Sequence, residues 1–156
     1  MAEGYIMDLR EKIGHIPMVI ACASVIIYDE TRGILLQKRK DNGQWCYHGG
    51  SVEPDETVEE AAKRELFEET GLSALKMELY TVASGKEQHF FYPNGDEVHI
   101  VDTVFICKNF SGDIVMEESE VTDCRWFAFN QLPDDITRST KTPILHFAKE
   151  MLTRSF

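Results

Sequence analysis

A surplus of positive charge is the first thing this chain lacks. Its 156 residues hold 16 Lys and Arg against 27 Asp and Glu, a formal net charge of −11. Nothing basic is left over to neutralise a run of phosphates, which argues against a nucleic-acid polymer as partner and against docking on an anionic membrane. Long apolar runs are missing too. The longest, around residues 18–28, is interrupted by Ser24 and falls short of the ~18 residues that a membrane-spanning helix needs. The N-terminal MAEGYIMDLREK has no basic start leading into an apolar core, so no secretory signal is read there and a cytoplasmic setting is expected. Cysteine is scarce, with no C-x-x-C pair and no zinc-like Cys/His spacing. Cys22, Cys107 and Cys124 lie in apolar runs and read as small buried hydrophobes, while Cys46, beside a glycine pair, reads as a reduced structural thiol. Repeats, low-complexity tracts and linkers are also absent. What remains, at 43% hydrophobic residues, is too apolar for a disordered acidic tail. The length suits one domain, 1–156, with a core at about 17–153 and a short N-terminal arm over 1–16.

The pattern along the chain is mainly strand. Residues 18–28 are β-branched and apolar, and 34–39 resume after the turn at Asp29–Gly33, so the two read as a hairpin. Residues 75–84 and 97–108 read as strands joined by a loop holding the turn sequence Tyr92–Asp96, and 124–129 as a short strand. Two helices are expected. One spans 57–70, with Thr57 and Glu60 as a capping box and Gly71 as its stop. The other has Thr142 as N-cap and Pro143 at its first position, with Ile144, Leu145, Ala148, Met151 and Leu152 on one face. Antiparallel strands with two helices suggest a sheet carrying helices on its faces.

The charge is not evenly spread. Residues 50–72, GSVEPDETVEEAAKRELFEETGL, hold eight acidic and two basic residues, a local charge of −6. On a helix, Glu65, Glu68 and Glu69 fall at i, i+3 and i+4 on one face. A solvated acidic face would interleave Lys or Arg at that spacing, but Glu65 is followed by Glu69. Three carboxylates so placed repel one another, and a hard divalent cation with oxygen ligands relieves the repulsion. Arg64 cannot be a ligand but can pair with a carboxylate and fix its rotamer.

The segment resembles the Nudix box, G-x5-E-x7-R-E-U-x-E-E-x-G-U with U a bulky aliphatic. Gly50, Glu56, Arg64, Glu65, Leu66, Glu68, Glu69, Gly71 and Leu72 meet its nine specified positions. The resemblance implies the Nudix fold, an α+β arrangement in which a mixed β-sheet is sandwiched between helices (an αβα sandwich). It also implies hydrolysis of a pyrophosphate bond in a nucleoside diphosphate linked to another group, with Mg²⁺ as cofactor and Mn²⁺ as substitute. By position, Glu65, Glu68, Glu69 and the carbonyl of Gly49 would hold metal, Arg64 would orient Glu65, and Glu56 would support the site. The base would be Glu65 or a glutamate of the loop before the last strand, Glu118 or Glu120. Arg39, at the end of a strand leading toward the box, is a candidate for substrate phosphates. Tyr47 and Phe91 stand for the aromatics that stack on a base.

One departure is visible: His48 stands where many Nudix sequences have proline before the two glycines. It reads as a tolerated substitution or, alternatively, as a contact to phosphate or a proton donor. No proline at the downstream position flags an ADP-ribose hydrolase, and no coenzyme A or NADH tag is recognisable. The expected partner is a small nucleotide-like diphosphate, with a homodimer left open. Alternatives are a sanitising pyrophosphatase for oxidised dNTPs or NTPs, a non-catalytic nucleotide sensor on the same fold, and an acidic calcium module. No D-x-[DN]-x-[DN]-G loop supports the last.

Overall fold

The computed structural model describes residues 4–154; the first three and last two residues of the expected 1–156 unit lie outside them. Helix α1 (Tyr5–Ile13) leads into the long strand β1 (Met18–Asp29), which turns back antiparallel into β2 (Gly33–Arg39). Two short strands follow, β3 (Trp45–Cys46) and β4 (His48–Ser51), then helix α2 (Val58–Thr70). Strand β5 (Ser73–Ala83), a one-turn 3₁₀ segment (Lys86–Gln88), β6 (His89–Phe91) and β7 (Glu97–Ser111) precede β8 (Val121–Phe127) and helix α3 (Arg138–Thr153).

The sheet is mixed. Its central path runs β3-β2-β1-β7-β5, with β1 and β7 parallel from Met18↔Val98 to Ile27↔Cys107 and the other strand-to-strand ladders antiparallel. Beyond residue 25, β1 gives its free edge to β2. Before that point, Cys22–Val25 pair with β4, which draws Gly49 and Gly50 against the middle of the sheet.

Alternation along β1 divides the core between two faces. Val25 and Ile27 pack with Ala61, Ala62 and Leu66 of α2, while Ile26 and Tyr28 pack with Ile144, Phe147 and Met151 of α3. Both faces are covered, so the strand reads as a nearly continuous apolar run. A smaller cluster under α1 joins Ile6, Leu9 and Ile13 to Met18, Ile20 and Val98. The αβα sandwich implied by the resemblance is the observed architecture. Among the described residues, no helix is long and apolar enough to cross a membrane.

Three expectations are corrected. Helix α3 begins at Arg138 after Thr137, and Pro143 lies inside it. The proline has no N–H for the carbonyl of Ser139, and Gln88 Nε2 donates to that oxygen at 2.6 Å instead. The last strand runs over Val121–Phe127, since its start is set by pairing with Arg39 of β2. Cys22 and Cys124 are half-buried, not buried, because each sits at the margin of the apolar clusters.

Candidate active site

Helix α2 is set by its ends. Thr57 accepts a hydrogen bond from the Glu60 amide at 3.1 Å, and Glu60 accepts one from the Thr57 amide, which is the expected capping box. Gly71 closes the helix in the left-handed conformation at φ 78°. With Ala61, Ala62 and Leu66 turned to the sheet, Glu65 and Glu69 fall beside strand β4.

Both carboxylates are nearly covered, Glu65 at 4% exposure and Glu69 at 8%. Glu69 accepts from the Gly49 amide at 2.9 Å and from Gln37 Nε2 at 2.6 Å. Burial, aided by the charge of Glu65, pushes its carboxyl up to about 8 against the pull of Gln37. Burial also raises Glu65, opposed by Arg64. The Arg64 guanidinium fills the gap between loop and helix. It makes a two-pronged pair with Glu56 at 2.6 and 2.9 Å and donates to Glu65 Oε1 at 2.9 Å and to the Ser51 carbonyl at 3.0 Å. Arg64 in turn holds the Glu56 carboxyl below its ordinary range. Glu68 is more exposed, 3.4 Å from Arg64.

The metal ligand set can be tested on this geometry. A Cβ at Gly50 would lie 2.5 Å from the Glu65 carboxylate, so the glycine gives that group its space. Two covered carboxylates, both raised by burial, with Glu68 at the rim, form an oxygen donor set whose ionisation a divalent cation would favour. The residues fit such an ion.

A cleft of about 640 Å³ opens beside this cluster, on the same sheet face as α3. Glu65, Glu69, Gly49 and Gly50 are part of its lining. Arg39 and Lys40 line it with Asp41, which pairs with Arg39 at 2.6 Å. The rest of the lining includes Tyr47, Gln88, Tyr92 and Asp102. Asp102 is buried and accepts from Ser24 Oγ and Tyr47 Oη, both at 2.8 Å. A smaller hollow brings Glu117, Ser119 and Glu120 against Glu65, Glu68 and Glu69. Backbone bonds from Val115 N to Thr70 O and Glu117 N to Glu69 O tie this loop to the end of α2.

The candidate residues therefore separate. Glu56, Arg64, Glu65, Glu68 and Glu69 come together around Gly49–Gly50. All of this loop's glutamates are exposed, but of the candidate pair Glu120 lines the cleft and the hollow whereas Glu118 lines neither. Arg39 and Tyr47 line the cleft, although the Tyr47 hydroxyl is committed to Asp102. His48 is 0% exposed and sits outside the lining, because β4 alternation turns it away from Tyr47. Its Nδ1 is 2.7 Å from Gln37 Oε1, and burial lowers its pKa to about 4, so the ring is neutral. His48 is thus packed against Gln37 and apart from the cleft lining. Phe91 is 70% exposed and lies against the His89 ring outside the lining, with Tyr92 in the cleft instead. Sequence reasoning missed Gln37 and Asp102. The available signal was a polar residue inside each apolar strand, ILLQKR and EVHIVDTVFI.

Comparison with known proteins agrees with this geometry. The family described as NUDIX domain matches residues 18–147. A provisional 8-oxo-dGTP diphosphatase of Bacillus subtilis (strain 168) is 34% identical over 126 residues, covering 80% of this chain and 77% of its own length. The NAD-capped RNA hydrolase NudC of Haemophilus influenzae (strain PittEE) is 34% identical over 123 residues; the match covers 74% of this chain and 42% of NudC, so the chain spans less than half of that relative. The crystal structure of a MutT NUDIX hydrolase from Burkholderia pseudomallei superposes with a TM-score of 0.71 at 30% identity, covering 82% of this chain and 97% of that one.

Proposed function

The chain belongs to the Nudix hydrolase family, and on that premise we propose that it hydrolyses the pyrophosphate bond of a nucleoside diphosphate linked to another group, with Mg²⁺ held by Glu65, Glu68 and Glu69. It is a hydrolase of the class acting on phosphorus-containing acid anhydrides, and Nudix hydrolases generally use divalent metals. The observation that carries the reading is the pair of covered carboxylates, Glu65 and Glu69, in the lining of a cleft that also holds Arg39 and Lys40.

When bound, the cation neutralises phosphoryl oxygens and lowers the pKa of an attacking water. The chain's own residues do the rest. Arg64, fixed by Glu56 and Ser51, holds Glu65 in one rotamer. Gln37 and the Gly49 amide do the same for Glu69. Arg39 and Lys40 attract the diphosphate, and Tyr92 offers a ring to a base. Glu65 or Glu120 takes the proton of the attacking water; of the two loop candidates, only Glu120 borders the carboxylates.

The relatives' names put 8-oxo-dGTP and NAD-capped RNA on the substrate panel, beside dinucleoside polyphosphates, nucleotide sugars, ADP-ribose and normal dNTPs, each with Mg²⁺ or Mn²⁺. Turnover of a small diphosphate and a loss of at least about a hundredfold in Glu69→Gln are expected, since a metal ligand goes. Undiminished activity in Glu69→Gln would sink the assignment. Preference for 8-oxo-dGTP over every NDP-linked compound would favour the sanitising reading suggested by the Bacillus subtilis relative. Binding without turnover would favour a sensor.

A further inference from the structure

Away from the cleft carboxylates, His89 of β6 and Glu97 and His99 of β7 bring their ligand atoms within 4.8 Å of one another. The ladder is the cause. His89 and His99 are direct cross-strand partners, and Glu97 lies two residues before His99, so all three point to one face of the sheet. The two imidazole rings lie 4.1 Å apart at 10°. Their Nε2 atoms approach the same carboxylate oxygen, Glu97 Oε2, at 2.8 Å from His89 and 3.6 Å from His99. Two arginines pin the backbone behind these ligands. Arg138 donates to the carbonyl of His89, and Arg10, itself buried, donates to the carbonyl of Glu97 at 2.9 Å.

We propose that His89, Glu97 and His99 form a second metal site, one for a Zn²⁺-class transition cation, which clips the β6–β7 hairpin. Two imidazoles with one carboxylate are a donor set that suits Zn²⁺, Co²⁺ or Ni²⁺ and not Mg²⁺, which takes oxygen ligands. Zinc ligands held at about 2.0–2.2 Å stand ~3.3 Å from one another, so side-chain rotations alone close the observed spacing. Each imidazole would carry its proton on Nδ1 and present Nε2 to the ion. All three residues are half-exposed, which leaves a coordination position for water. The hairpin also matters to the cleft, because the residues flanking β6, Gln88 and Tyr92, both line it. An ion joining β6 to β7 on the opposite face would order that wall.

The test is calorimetric titration of the full chain with ZnCl₂ in a millimolar excess of MgCl₂, which occupies the oxygen site. One Zn²⁺ per chain is expected, weakened at least about tenfold in both His99→Ala and Glu97→Gln and retained in Glu69→Gln. Amide hydrogen exchange over residues 89–99 should slow on Zn²⁺ addition in the native chain and not in His99→Ala. No Zn²⁺ binding, binding insensitive to both variants, or binding lost only in Glu69→Gln would each overturn the site. Exchange unchanged at Zn²⁺ saturation would overturn the clip. Mg²⁺-dependent hydrolysis is measured separately on the same variants, so failure of this site leaves the hydrolase reading standing.

Discussion

A Cβ built at Gly50 would lie 2.5 Å from the Glu65 carboxylate, whereas one at Gly49 would lie 2.1 Å from Ser24 Oγ and 2.6 Å from the Ala23 carbonyl oxygen. The first clash is with the far end of a flexible side chain, and the second includes a paired backbone. Gly50→Ala should therefore fold normally but displace Glu65. Its Mg²⁺-dependent kcat/KM is expected to fall at least about tenfold while its melting temperature barely moves. Gly49→Ala must part β4 from β1, and chemical denaturation should show a loss of about 2–3 kcal/mol. Equal losses of stability in the two variants would refute this division. The box pattern specified Gly50 and not Gly49, and the different neighbours that each one meets could not be read from it.

Helix α2 was legible from its sequence because its determinants are local: a capping box at one end and a terminating glycine at the other. Helix α3 was not. Its start precedes Pro143 by five residues, and what makes this tolerable is Gln88, which is distant in sequence and donates to the Ser139 carbonyl that proline leaves unserved. Gln88→Ala should accordingly destabilise the chain by about 1–2 kcal/mol in urea denaturation, the cost of a covered carbonyl left without a partner. Combined with Pro143→Ala, which restores the amide donor, the loss should shrink. If the two effects simply add, Gln88 does not act through Ser139.

For the molecule as a whole, the cost of the acidic segment should appear as a pH dependence. Glu69 titrates near 8 in the folded chain, raised by burial from an ordinary 4.5. Between these values the folded state keeps a proton that the unfolded state has lost, so this contribution is complete below about 4.5 and disappears as pH rises through 8. His48 acts in the opposite direction: lowered to about 4 by burial from 6.5, it withdraws stability as pH falls through that window. Metal-free protein should thus lose melting temperature from pH 6 to 8.5, less so in Glu69→Gln, and Mg²⁺ should restore more of it at the alkaline end. A Glu69→Gln profile parallel to the native one would count against the assignment. The charge of −11 that set the molecule apart from phosphate polymers thus has much of its weight on one helix and the loop before it. Whether capped RNA is excluded is decided by the substrate panel.

The sequence by itself determined what depends on short range. Two apolar runs around a turn predicted β1 and β2, the capping box bounded α2, and the spacing of Glu65, Glu68 and Glu69 put three carboxylates on one face of the helix. It also carried the family, because the box is contiguous in the chain. Tertiary structure alone decided which residues meet from far apart. The parallel register of β1 on β7 sets Ser24 against Asp102, and the placing of β4 on β1 beside β2 sets Gln37 between His48 and Glu69. Strand alternation sent His48 inward and Phe91 outward, although both were candidates for substrate contact. These outcomes depend on which face of a strand is buried, and that is set by partners tens of residues away.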